Sequence, residues 1–346
     1  MERRRLGRST PEKAAGDYIP AAHARSIQLI PSGCGVLDAV LGGGWPLGRM
    51  VNIVGDKAVG KTLLAIEAAA NFAARWPSGH IWYRESEAAF DEEYAAELGI
   101  PVKRIDFGPD GLDTIWDTVE DIYEDLEPCL EISGRSGEPG LYIIDSLDAL
   151  SSRAEQQRKI DEGSYRTEKP RALGELFRRR IREIKRSQIC FMIVSQVRER
   201  IGVTFGEKYT RTGGKSLDFY ASQILWLHNL GTKSSTIQGV KQIHSVEVRA
   251  KCKKNKIGIP FRECDFRIRF GYGMDDISAS IDWLAERGLL TQAGLRSEKE
   301  AKTYLREASQ MSTEARLREA HRLGDIVAAS WSEITDRFRP PNRKYV

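Results

Sequence analysis

The sequence predicts an α/β protein with a largely parallel central sheet and a small, mainly helical unit at its C-terminal end. Three observations carry this. First, Met50–Val54, Ile81–Tyr83, Leu141–Ile144 and Ile189–Val194 are short, continuously apolar runs. Strands buried on both faces read this way, whereas half-exposed strands alternate. Second, helical patterns separate these runs. Leu63 to Ala74 is rich in Ala and Leu, which are strong helix formers. Leu112 to Leu130 spaces Leu112, Ile115, Trp116, Val119, Ile122, Tyr123 and Leu126 as one helical face, and Ala172 to Lys185 reads as a basic helix. Strands alternating with helices imply a parallel sheet covered on both sides. Third, the character changes after Gly273. Val246–Ala250 and Phe266–Phe270 alternate apolar with charged residues, as strands with one wet face do. Beyond them, Ile277–Arg287 is helical with Gly288 as its C-cap, Ser297 to Glu300 opens another helix as a capping box, and Thr313–Phe338 is a long amphipathic pattern. A boundary near residue 273 follows, with residues 1–30 a short basic segment interrupted by Pro11 and Pro20, residues 31–272 a core, and residues 273–346 the helical unit.

Composition narrows the function class. With 346 residues, 41% apolar and 29% charged, the chain is ordinary globular material. No run of about 18 apolar residues occurs, so a membrane partner is not expected. No apolar run follows the basic start, so a secretory signal is not expected either. The five cysteines, Cys34, Cys129, Cys190, Cys252 and Cys264, form no C-x-x-C pair and read as buried free thiols in a reducing cytoplasm. The net charge of +4 says little by itself, but its distribution is uneven. Glu85–Glu131 holds sixteen carboxylates against two basic residues, and Arg153–Arg186 holds twelve basic residues against six acidic ones. Such asymmetry suits a surface facing a polyanion, or simply solvated helix faces.

The strongest motif is Gly55, Asp56, Lys57, Ala58, Val59, Gly60, Lys61 and Thr62. It matches G-x-x-x-x-G-K-[ST] between a strand and a helix, the setting in which backbone N–H groups wrap phosphates. Lys61 suits the terminal phosphates of ATP and Thr62 a Mg²⁺ ion; Leu63 completes the nucleotide-binding stretch. A magnesium site wants a second oxygen from a strand end, and Asp145 supplies it after four apolar residues. The other role open to Asp145 is a helix N-cap. Glu85 and Glu87 follow the second strand, and either could activate water. Gly202 to Lys215 mixes Gly, Thr, Lys and Arg with Phe205 and Tyr209, a composition suited to single-stranded nucleic acid.

Around these motifs the sequence resembles the RecA family of ATP-dependent DNA recombinases. The segments that carry the resemblance are IPSGCGVLDAVLGGGWPLGR before the loop, SEAAFDEEYAAELGI after it, LYIIDSLDAL, IVSQVRERIGVTFGEKYTRTGGKSLDFYAS and KKNKIGIPF. The resemblance implies a RecA-like ATPase core. It implies Glu87, not Glu85, as the catalytic carboxylate, and Asp91 and Tyr94 near the adenine. Gln196 falls where the family senses the terminal phosphate, and Lys254 and Lys256 where two lysines reach the neighbouring subunit's ATP. DNA-binding loops are implied near 156–170 and 202–215, with Arg171, Arg198, Phe205, Arg211, Gly213 and Gly214 at DNA-facing positions. The implied activity is DNA-stimulated ATP hydrolysis coupled to strand exchange, in a cytoplasmic head-to-tail filament on single-stranded DNA. The implied partners are homologous duplex DNA and single-strand-binding or loader proteins, and the implied cofactors ATP and Mg²⁺. Residues 1–30 would dock the next subunit.

Departures from the family pattern point to a divergent or phage member. Asp218 stands where a basic residue is expected before Phe219, Leu63 replaces a hydroxyl residue, Thr204 replaces a larger apolar one, and residues 337–346 are basic rather than acidic. Two other readings share these motifs: an ATP-binding recombination mediator, and a ring helicase or its loader.

Overall fold

The computed structural model describes residues 27–87, 90–158, 167–199, 209–211 and 214–342. The chain opens with β1 (Leu29–Ile30), α1 (Gly35–Leu41) and β2 (Trp45–Pro46), β1 and β2 pairing antiparallel. β3 (Met50–Gly55) leads through the glycine loop into α2 (Lys61–Arg75), then β4 (His80–Glu85), α3 (Glu92–Glu97) and β5 (Ile105–Asp106). α4 (Val119–Ser136), β6 (Gly140–Asp145), α5 (Arg153–Gln156), α6 (Glu168–Arg186) and β7 (Ile189–Glu199) follow. Next come β8 (Tyr209–Arg211), α7 (Gly214–Tyr220), β9 (Gln223–Ile237), β10 (Val240–Asn255), β11 (Glu263–Arg269) and β12 (Gly273–Met274). Three helices close the described chain: α8 (Asp276–Glu286), α9 (Glu298–Ala308) and α10 (Thr313–Arg337).

Among the described residues, one ten-stranded sheet runs β12-β11-β10-β9-β3-β7-β6-β4-β5, with β8 added on β7. From β9 to β5 every pairing is parallel, and β9 to β12 pair antiparallel. Each apolar run of the sequence lies inside a parallel strand. Its alternate residues serve two cores: Val51, Ile53, Ile143 and Met192 pack with α1 and α2, while Val54, Tyr142, Ile144 and Ile193 pack with α4 and α6. All five cysteines are buried thiols, raised by that burial.

The helix expected from Leu112 starts only at Val119. Thr118 and Asp121 cap each other's backbone there, and this capping box fixes the first turn. Trp116, which shares the helical spacing, is instead buried ahead of the helix with its Nε1–H donated to the Phe107 carbonyl at 3.0 Å. At the other end, Gly288 has φ +68 just after α8, the left-handed geometry that glycine supplies after a helix.

The helices after residue 273 share an apolar core with α1. Leu284, Leu323 and Val327 join the cluster that holds Leu37 and Val40. A Cβ on Gly35 would stand 2.5 Å from the Gly324 Cα, so α1 and α10 cross in backbone contact. β9 and β10 run beyond the sheet as an exposed hairpin, turning at Gln238 and Gly239, both with positive φ. Such a turn matches the strand twist.

Candidate nucleotide-binding site

The parallel register brings the carboxyl ends of β3, β4, β6 and β7 together: Gly55 lies opposite Gln196, and Glu85 opposite Asp145. Ligands of open α/β sheets bind at such an edge. The glycine loop leaves β3 there. Asp56, Lys57 and Ala58 are exposed, Val59 is fully buried beneath them, and Leu63 is buried at the start of α2. Gly60 has φ +83, and a Cβ on it would stand 2.1 Å from the Ile268 Cδ1. Glycine suits that position, since any side chain would meet the left-handed backbone and have to displace the Ile268 terminal methyl. Lys61 Nζ folds back onto the Asp56 carbonyl at 2.7 Å. Burial lowers its pKa, against the pull of Asp145, Glu87, Asp56 and Asp148.

Asp145 is 6% exposed. Burial raises its carboxyl, the Glu87 and Glu85 charges add to that, and hydrogen bonds from Tyr83 and Thr62 oppose it. The Tyr83 hydroxyl donates to Oδ2 at 2.7 Å. A buried carboxylate beside two others and a threonine hydroxyl is a setting that a cation relieves. Thr62 and Asp145 therefore fit Mg²⁺, with phosphate oxygens and water left to complete the shell.

The structure separates the two glutamates. The Glu87 carboxylate accepts from Gln196 Nε2 at 2.8 Å and from the Ser146 hydroxyl, while Glu85 accepts the Glu87 backbone N–H at 3.0 Å. Gln196 is fixed through its own N–H, donated to Asp148 at 2.6 Å. Sequence reading passed over Tyr83, Ser146 and Asp148. Tyr83 looks like one more core aromatic, and only its register across from Ile143 aims its hydroxyl at Asp145. Asp148 does carry a weak signal, as the second acid of LYIIDSLDAL.

Asp91 caps α3, accepting from the Tyr94 N–H at 2.8 Å. The Tyr94 hydroxyl meets the Gly271 N–H at 3.4 Å, three residues from the Ile268 that packs on Gly60. Lys254 and Lys256 lie elsewhere. Lys254 pairs with Ile224 near the start of β9, whereas Gly55 pairs with Leu227. That is about 10 Å along the strand direction and two strands away. Within one chain the lysines are remote from Lys61. Lys254 Nζ contacts the carbonyls of Asp218 and, at 3.1 Å, Phe219, and Lys256 Nζ contacts Phe219 at 3.3 Å. These are the last carbonyls of α7, the negative end of its dipole.

Of the positions expected to face DNA, Arg171 is exposed in the first turn of α6. Arg198 pairs through its backbone with Thr210, and Gly214 opens α7. Phe205 and Gly213 lie outside the described residues. Arg211 is turned inward: its side chain is 5% exposed and donates to Asp218 at 2.6 Å.

Sheet, loop and strand-end carboxylates together define a P-loop nucleotide-binding protein. A family profile described as the RecA N-terminal domain matches residues 16–275. Protein RecA of Nocardioides sp. is 31% identical over 320 residues, covering 89% of this chain and 85% of that protein. Protein RecA of Thermus thermophilus is 31% identical over 317 residues, with 88% of each covered. Protein RecA of Streptomyces avermitilis is 33% identical over 269 residues, covering 78% and 67%. The chain belongs to the RecA family.

Proposed function

We propose that this protein is an ATP-dependent recombination protein. It assembles head to tail on single-stranded DNA and carries out homologous pairing and strand exchange, with DNA-stimulated ATP hydrolysis. The contact between Gln196 and Glu87 carries this reading. It would join the water-activating carboxylate to the strand that leads on to the 202–215 segment, so that nucleotide state and DNA contact share one backbone. Family membership supports the same reading.

ATP would place its phosphates on residues 55–62, with Lys61 on the terminal ones and the adenine toward Asp91 and Tyr94. Thr62 and Asp145 would hold Mg²⁺, which offsets phosphate charge when bound. Glu87 would take a proton from the attacking water, leaving ADP and phosphate. Lys254 and Lys256, remote from their own loop, serve a neighbouring subunit's nucleotide in an open heterologous assembly. Arg171, Arg198, Phe205, Gly213 and Gly214 are assigned to the bound strand, and residues 273–346 to duplex capture; Arg211, expected among them, is taken up by Asp218 instead. The protein would work in the cytoplasm; no helix among the described residues is long and apolar enough to cross a membrane. ATP then acts as a switch by differential affinity for two DNA-binding states.

Hydrolysis of ATP by wild type and Glu87→Gln, with and without single-stranded DNA, tests this. Strong stimulation by DNA that the variant loses supports it, and strand-exchange assays follow. Hydrolysis that is absent or indifferent to DNA overturns it in favour of a mediator.

A further inference from the structure

Asp218 holds two things at once. Its carboxylate takes the buried Arg211 guanidinium, and its backbone carbonyl takes Lys254. Arg211 ends β8, which pairs with β7 at Val197, the residue after Gln196. A continuous set of contacts thus runs from Glu87 through Gln196, the β7–β8 pairing, Arg211 and Asp218 to the lysine pair. Three cations, Arg211, Lys254 and Lys256, crowd the end of α7. Asp218 is the carboxylate acting on Lys254, which burial, and then Lys256, push down to about 8. Arg211 is itself marginally satisfied, since its buried Nε finds no partner among the described residues. A buried guanidinium with one carboxylate depends strongly on that carboxylate.

We infer that Asp218 is a positioning residue that couples the proposed DNA-binding segment, residues 202–215, to the lysines serving the neighbouring nucleotide. This rests on the ATP-between-subunits reading proposed above. With Asp218 charged, Arg211 pins the end of β8 to α7, and the lysines stay close by. Without that charge, three like charges face one another, the end of β8 is released and Lys254 loses its proton more readily. DNA contact and nucleotide contact then cease to report to each other. The placement also accounts for an acid where the family pattern expects a base: with Arg211 at the end of β8, a second base at 218 would leave no counter-charge.

The test uses the full-length chain as wild type, Asp218→Asn and Asp218→Glu. Asp218→Asn is expected to lower DNA stimulation of hydrolysis about tenfold, within the usual range of coupling energies. Binding of a fluorescent ATP analogue without DNA should change less than about twofold. The alkaline limb of the stimulated rate, set by Lys254 facing Lys256, Arg211 and Asp218, should move to lower pH by on the order of half a unit. Asp218→Glu keeps the charge and should stay within about threefold of wild type. Unchanged stimulation and an unmoved limb in Asp218→Asn overturn the inference. So does an equal loss in Asp218→Glu, which would make residue 218 a support of the fold alone. If wild-type hydrolysis ignores DNA, the ATPase reading fails separately. The inference is then decided by hydrogen exchange in residues 214–220. Slowing by a non-hydrolysable ATP analogue in wild type but not in Asp218→Asn sustains it, and no slowing in wild type overturns it.

Discussion

Replacing Glu67 by glutamine should stabilise this protein, increasingly as pH rises. Glu67 sits on α2, the helix opened by the phosphate loop. Its Oε1 accepts the Met274 N–H at 2.8 Å, tying that helix to the start of the C-terminal helices. Burial pushes the carboxyl from 4.5 up to about 8, and the nearby Asp276 charge adds to this, while the Met274 N–H opposes it. Unfolded, the group loses its proton near 4.5; folded, it holds the proton until about 8. Over that window of roughly 3.5 pH units the fold binds a proton that the open chain has released, so rising pH costs stability at about 1.4 kcal/mol per unit. The ceiling is about 4–5 kcal/mol, lowered by whatever water reaches the pair. Glutamine keeps an acceptor oxygen for Met274 and removes the titration. The variant should therefore match wild type near pH 5 and exceed it by about 2–4 kcal/mol at pH 8. Urea unfolding at pH 5, 6, 7 and 8 reads this as a midpoint shift at constant slope. Asp276, pushed up to about 6, and Asp38, pushed up to about 7, titrate in the same window in both proteins. They give a curvature that both proteins share, apart from the Asp276–Glu67 coupling that the substitution removes. Parallel stability–pH curves for the two proteins would refute the reasoning.

Three further outcomes follow from the site and the core. Gly60→Ala puts a side chain on a left-handed φ of +83 and against the Ile268 terminal methyl, which must move aside; titration with a fluorescent ATP analogue should show binding at least about tenfold weaker, from a strain of roughly 1–2 kcal/mol plus displacement of the loop. Tyr83→Phe removes the hydrogen bond that holds Asp145 down, so the acid limb of Mg²⁺-dependent nucleotide binding should begin at a higher pH; an unmoved limb would refute the assignment. Arg84 is 2% exposed, pairs with Asp125 and Asp106 and lies 4.8 Å over the Trp116 ring. Arg84→Met leaves Asp125 without its guanidinium and should cost about 3 kcal/mol by chemical denaturation.

The linear pattern determined the strand runs, the phosphate loop and the acid at the end of LYIIDS. Each of these is a local statement: continuous apolarity for two-sided burial, glycine for backbone approach to phosphate, a carboxylate where a strand stops. The family segments pointed beyond these, to Glu87, Gln196 and the lysine pair as candidates. Tertiary structure decided what spacing does not encode. Helical periodicity runs smoothly through residue 112, but a capping box at Thr118 outweighs it. Arg211 looks like a phosphate ligand within a basic loop until β8 folds back on β7 and meets Asp218. Tyr83 becomes part of the site only because β4 and β6 stand in the register that sets its hydroxyl on Asp145. Charge and aromaticity are properties of residues, but partnership is a property of distance, and residues 62 positions apart acquire one only when the sheet closes.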